Sequence, residues 1–239
     1  MLRKTLDKGV DNKLVLDFIY AAIVIALFCI FNIINIYLVK HGSFVQKAIF
    51  DGITMFLVID ISNTERKNLK LKEKVHFYDS LSTISRSMVC GFVAPLFYII
   101  IFGNTFGILY AIIFNLALCN DDIIYLNIIF ILLSIIPALL VQVILYVIYL
   151  CRNKKAQIDF KGDYLLNCVT KPLLNVDIIA AYIESINFYY YFNFKNTEYL
   201  KSYGNYNSKI DDVCIKDYLS IAYIVCILFF IFFFLIIRT

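Results

Sequence analysis

Charge is scarce in this sequence. Of its 239 residues, 17% are Asp, Glu, Lys or Arg, against roughly 25% in ordinary soluble domains, and 62% are apolar. A soluble fold of that composition would lack the polar surface to cover itself. Histidine is scarcer still, with only His41 and His76; they stand apart from each other and from any ligand set, so loop positions are expected for both. The seven cysteines, Cys29, Cys90, Cys119, Cys151, Cys168, Cys214 and Cys226, contain no Cys-x-x-Cys pair. An odd number without metal spacing argues against a disulfide framework or a zinc site, and leaves buried small apolar residues. Also missing are a Walker-type phosphate loop, a Gly-x-Ser-x-Gly elbow and a His-Glu-x-x-His pair, so the common soluble chemistries are unsupported and no nucleic-acid partner is expected. Ala, Gly, Pro and Arg give way to Ile, Asn, Lys, Phe and Tyr, the bias of an AT-rich coding sequence. No internal repeat is found.

The apolar residues come in blocks. Leu14 to Val39 carries only Asp17 as a charge, and Ile123 to Cys151 and Tyr218 to Ile237 carry none. Each is long enough to cross about 30 Å of hydrocarbon, which takes roughly 20 helical residues. Val45 to Ile61 is interrupted by Lys47, Asp51 and Asp60; a short span is preferred over an amphipathic surface helix. Val89 to Cys119 contains Pro95, Gly103, Asn104 and Gly107, and fits one long tilted helix, a broken helix or a tight hairpin. Backbone groups freed at Gly103 and Asn104 would have to be buried in protein, because lipid offers no partners. The expected fold class is all-α: a polytopic helical membrane protein with about five spans and a small polar region before the last. Its parts are an N-terminal membrane bundle (1–151), a cytoplasmic polar or interfacial region (152–217) and a C-terminal transmembrane helix (218–239).

Basic residues cluster at Arg3 to Lys13, Arg66 to Lys74 and Arg152 to Lys155. If basic loops stay cytoplasmic, all three clusters face inward in the cell (inner or plasma) membrane, which requires Val89 to Cys119 to cross once. The N-terminal apolar run is too long for a signal peptide and lacks a small-residue cleavage site, so it reads as an anchor. Between Arg152 and Asp217, the apolar patch from Val176 to Phe192 suits an interfacial or docked helix. Intramembrane polar residues are costly in lipid and usually face a bundle interior, which singles out Asn104 and Asn115, with Ser134 and Gln142 behind them. The bland alternative is interhelical bonding at around 0.6 kcal/mol each. Gly103 and Gly107 form a Gly-x-x-x-Gly pair that permits close helix contact, in a homo-oligomer among other settings.

One stretch is more specific. Gly91-Phe-Val-Ala-Pro-Leu-Phe97, a Gly turn near Gly103 to Gly107, and then Asn115 resemble the CobD/CbiB family of cobalamin-biosynthesis membrane proteins, which has Gly-Val-Val-Ala-Pro-Leu-Phe followed at similar distance by an Asn. In the same order, Ile136-Pro-Ala-Leu139 falls where the family has Ile-Pro-Ala-Arg. Lys171-Pro-Leu-Leu-Asn175 matches its His-Pro-Ser-Pro-Asn, Ala180-Ala181 falls on a pair of alanines, and Ile215 to Ile237 is similar to the closing helix.

The resemblance implies ligation of aminopropanol (or ethanolamine) phosphate to adenosylcobyric acid, with ATP and Mg2+ as cofactors, a corrinoid as substrate, and Asn115 and Asn175 as substrate-binding residues. The sequence departs from the family at polar positions. Where the family has Glu-Asn-x-x-Asp-Gly, this chain has Arg86-Ser-Met-Val-Cys-Gly91; an Asp is replaced by Leu118 and the Arg after Pro-Ala by Leu139. The family's Gly-Arg-Asp-Thr signature is absent and the segment from Asn63 to Ser87 is shortened. Asp121 and Asp122 are near enough in sequence to stand in for the missing Asp, although the topology above puts them on the other face. Packing positions are retained while groups for metal and phosphate chemistry are lost, so a diverged member with weak, altered or no synthase activity is expected. A noncatalytic membrane scaffold or assembly partner and a small transporter are the alternatives.

Overall fold

The computed structural model describes residues 13–59, 77–119, 124–153, 157–194, 197–204 and 212–237. Most of the Arg3 to Lys13 cluster, Arg66 to Lys74, His76, Asp121, Asp122, Lys154 and Lys155 lie outside the described residues. The chain is nearly all helical: α1 (Lys13–His41), α2 (Phe44–Val58), α3 (Phe77–Arg86), a π-helical stretch (Ser87–Val93), α4 (Ala94–Phe102), α5 (Asn104–Cys119), α6 (Ile124–Asn153), α7 (Tyr164–Thr170), α8 (Pro172–Ile183), an antiparallel pair β1 (Phe188–Phe194) and β2 (Thr197–Tyr203), and α9 (Asp212–Ile237). Four helical segments are long and apolar enough to cross a membrane, Asp17–His41, Ser80–Phe102, Ile124–Asn153 and Val213–Ile236. Their outward faces carry residues such as Phe18, Ile33, Val143, Phe232 and Leu235, as expected of helices that meet lipid.

Two compact units form, Met1–Ile59 with Pro95–Leu133, and Asp60–Ala94 with Ser134–Thr239. In the first, Val24, Ile113 and Leu126 form a buried apolar cluster. Asn35 of α1 donates through Nδ2 to Thr105 Oγ1 at 3.3 Å, and Phe28 meets Phe106 edge to face. A capping box starts α2: Ser43 Oγ accepts the Gln46 N–H while Gln46 Oε1 accepts the Ser43 N–H.

The stretch Val89 to Cys119 does not cross as one rod. The helix stops at Gly103, whose φ of +87° suits glycine, and α5 folds back along α4. Gly107 then lies against Ile99 and Pro95, and the Tyr98 and Tyr110 rings stack at 5.2 Å. In a continuous helix residues 98 and 110 would be about 18 Å apart. The turn was expected to be buried in protein; Gly103 is instead exposed, and the backbone closes on itself, with Gly103 N–H donating to Ile99 O and the Phe106 and Gly107 N–H groups to Gly103 O. Asn104 Nδ2 bonds Asp51 Oδ1 at 2.6 Å, so Asn104 joins α5 to α2. Gly107 uses its missing side chain inside this hairpin.

In the second unit Met88 to Val93, Cys90 included, are all buried in the π-helical stretch, a wide-turned geometry frequent at functional sites. α9 lies along it, with Phe92 and Phe230 rings 6.4 Å apart. Eleven of the twelve residues of α8, Asn175 and Asp177 among them, are buried, so protein encloses this helix on all sides. The Val176 to Phe192 helix expectation holds only to Ile183. Ser185 adopts φ +53°, and Phe188-Tyr-Tyr-Tyr-Phe192 is strand, because a run of aromatics favours the pleated geometry.

Candidate functional site

The polar side chains of the second unit gather around α8. Pro172 begins this helix, where a missing N–H costs nothing. One turn on, the fully buried Asn175 donates through Nδ2 to Tyr164 O at 3.0 Å and to Cys168 Sγ at 3.1 Å. The Tyr164 hydroxyl donates to Gln142 Oε1 at 3.1 Å, and Gln142 Nε2 donates to Pro172 O at 3.3 Å. Asn175 Oδ1 and Asn167 Nδ2 are buried with no hydrogen-bond partner. An acceptor on α8 and a donor on α7 are therefore each buried and open, the state that a polar ligand group or a water relieves.

A second polar group touches α8 near its middle and end. Asp177 accepts from Ser82 Oγ at 2.8 Å, and the buried Ser85 and Tyr218 hydroxyls lie 2.8 Å apart. At the end of α8, Arg152 Nη1 holds Glu184 Oε1 at 2.9 Å and Nη2 approaches Asp217 Oδ2 at 3.5 Å, while Asn153 Nδ2 donates to Tyr182 O. Burial raises the Glu184 pKa above the ordinary glutamate value; the Arg152 charge opposes this and the Asp217 charge adds to it. A carboxyl whose pKa is higher folded than unfolded contributes its full stability below the unfolded value and loses it as pH rises through the folded one. Glu184→Gln is therefore expected to flatten the fall in apparent melting temperature from about pH 4.3 upward. An unchanged pH profile in detergent micelles would show that Glu184 does not titrate in that window.

The two sequence-derived site residues fall in different units. Among the described residues lining a pocket of about 340 Å³, Asn115 is the one polar side chain, with Leu27, Phe31, Leu57, Val58, Ile108, Ala111, Ile112 and Leu116, and its Nδ2 donates to Ala111 O of its own helix at 2.8 Å. Asn175 is the one seated among other polar groups. Gln142 joins it there; Ser134 is buried in α6. Sequence reasoning passed over Ser82, Ser85, Tyr164 and Tyr218, and over Asp177, although Asp177 is the only charge between Leu173 and Ile183. That lone carboxylate in an apolar run was a usable signal.

The resemblance would put acidic metal ligands where this chain has Arg86, Cys90 and Leu118, and a phosphate-binding arginine where it has Leu139. Magnesium takes oxygen ligands, and none of these supplies one. Among the described residues no group of three or more His, Cys, Asp or Glu is placed to hold a metal ion. The residues present do not fit Mg2+ and ATP at that place.

Fold and site together define a helical membrane protein with a buried polar centre around one enclosed helix. No protein-family model, no curated protein and no solved structure matches the chain.

Proposed function

We propose that the chain is a multi-pass protein of the cell (inner or plasma) membrane that serves cobalamin biosynthesis on a CobD/CbiB-type scaffold, binding a corrinoid intermediate while ligation of aminopropanol phosphate to adenosylcobyric acid is weakened or lost. The observation that carries the reading is Asn175. It is a matched motif position, it begins an enclosed helix together with the matched Pro172, and its Oδ1 is open in a buried polar centre. An amide-rich ligand such as adenosylcobyric acid supplies the N–H groups that such an acceptor takes. Ala180 and Ala181, also matched, are fully buried in the same helix, which suits a packing role for small side chains. The loss of ligation rests on Arg86, Cys90, Leu118 and Leu139, which also favours the noncatalytic scaffold reading over the transporter.

Expression in a strain lacking the synthase, with corrinoids read by mass spectrometry, is the test. The expected result is no cobinamide phosphate above the vector control, with adenosylcobyric acid retained on the purified protein and lost on Asn175→Leu. Product formation would restore the ligase reading. Neither product nor corrinoid binding, with membrane expression verified, would overturn the corrinoid assignment.

A further inference from the structure

The segment after α6 does not stay at the membrane surface. Two charge-free runs of the sequence set its depth. The charge-free run of α9, Tyr218 to Ile237, is 20 residues long, so a crossing uses all of it and places Asp217 at the membrane boundary; Arg152, in contact with Asp217, shares that level. The charge-free run Ile123 to Cys151 allows 20-residue windows from Ile123–Gln142 to Leu132–Cys151, and every one of them contains Gln142. Gln142 thus lies within the hydrocarbon, about 15 Å along α6 from Arg152.

The side chains that hold Gln142 come from the turn between α7 and α8. Tyr164 and Pro172 bond it, while at the other end Tyr149 donates to Gln157 O, Tyr182 to Asp159 O, and Arg152 and Asn153 reach Glu184 and Tyr182. Residues 157–171 therefore descend along α6 and α8 returns; its twelve residues cover about 18 Å, enough for the climb. At the bottom, α7 turns Asn167 and Cys168 inward and leaves Leu165, Leu166 and Val169 exposed by 79%, 64% and 58%. Of the charges near this level, Asp163 is paired with Lys201 and the Lys171 ammonium lies over the Tyr190 ring, which limits their cost in a membrane; Lys161, exposed and two residues past Asp159, stays at the water boundary near the Arg152 end.

We propose that residues 157–183 form a re-entrant hairpin that enters the bilayer from the Arg152 face, with Leu165, Leu166 and Val169 of α7 in contact with lipid acyl chains. Irregular backbone at that depth is tolerated where protein covers its polar groups, as α6 and α8 do here. The chain has no tryptophan, so single Trp probes report without background. In vesicles of phosphatidylcholine brominated along the acyl chain, Leu166→Trp and Val169→Trp are expected to emit to the blue and to be quenched as strongly as Val143→Trp on the exposed face of α6, with little quenching by aqueous iodide; Lys161→Trp is expected to show the reverse balance. Leu166→Trp and Val169→Trp responding to iodide like Lys161→Trp would overturn the proposal by placing α7 in water. Protection from both quenchers would overturn it by showing a protein partner or a second copy over this face.

Discussion

Gly107→Leu is expected to destabilise the folded chain by about 3 kcal/mol, at the upper end of what overpacking of a filled interior usually costs. A Cβ at this position would stand 2.4 Å from Ile99 Cγ1 and 3.5 Å from the Pro95 carbonyl oxygen. Ile99 Cγ1 is a branch atom near the backbone of a buried residue, so relief requires α5 to move away from α4. That movement would also separate the stacked Tyr98 and Tyr110 rings. Gly52→Leu is the matched control: it lies on an exposed face of α2 with nothing within 4 Å of its added Cβ, and replacing a helical glycine there is neutral or slightly stabilising. Apparent unfolding free energy in detergent micelles reads the difference. Equal stability of the two variants would show that the close approach at Gly107 is dispensable.

Tyr98→Phe has the second largest expected effect, about 1–3 kcal/mol, and its origin lies in another residue. Pro137 sits inside α6 and has no N–H, so the Leu133 carbonyl, four residues earlier, loses its helical donor. The Tyr98 hydroxyl donates to that carbonyl at 2.7 Å. Phenylalanine keeps the ring and its stacking but leaves the carbonyl unsatisfied in surroundings without water. The explanation makes a sharper demand on a double variant. With Pro137→Ala, residue 137 supplies its own N–H, and adding Tyr98→Phe should then cost little. A Tyr98→Phe penalty that is the same in both backgrounds would break the link between the two residues.

The spans around Ile33, Ile128 and Phe232 were legible in the sequence because a crossing depends on a local quantity, about 20 consecutive apolar residues. The Gly103 break was legible as a break, since glycine and asparagine interrupt an apolar run. The direction of the chain beyond it was not, because the fold-back is decided by Gly107 meeting Ile99 and Tyr110 meeting Tyr98, contacts between residues eight and twelve apart. The positive-inside solution chose a single crossing for this stretch, having no view of those contacts. Strand β1 was missed for a related reason: the apolar run from Val176 to Phe192 is continuous in hydropathy, and only the turn at Ser185 divides enclosed helix from aromatic strand.

The candidate site divides in the same way. Asn175 and Asn115 were drawn from one resemblance, yet Asn115 bonds its own helix in an otherwise apolar pocket, whereas Asn175 meets Tyr164, Cys168 and, through them, Gln142. Sequence spacing does not separate the two, because an amide can be satisfied by the carbonyl four residues back or by a group from a distant segment.

By itself, the sequence determined that this protein belongs in a membrane, since scarce charge and long apolar runs leave a helix no other place to bury its faces. Tertiary structure alone decided that α5 doubles back on α4, that Tyr98 serves the carbonyl freed by Pro137, and that α8 is enclosed with Asn175 at its head. Hydrophobicity is additive along the chain and can be read locally; hydrogen-bond partners and close contacts belong to pairs of residues that only the fold brings together.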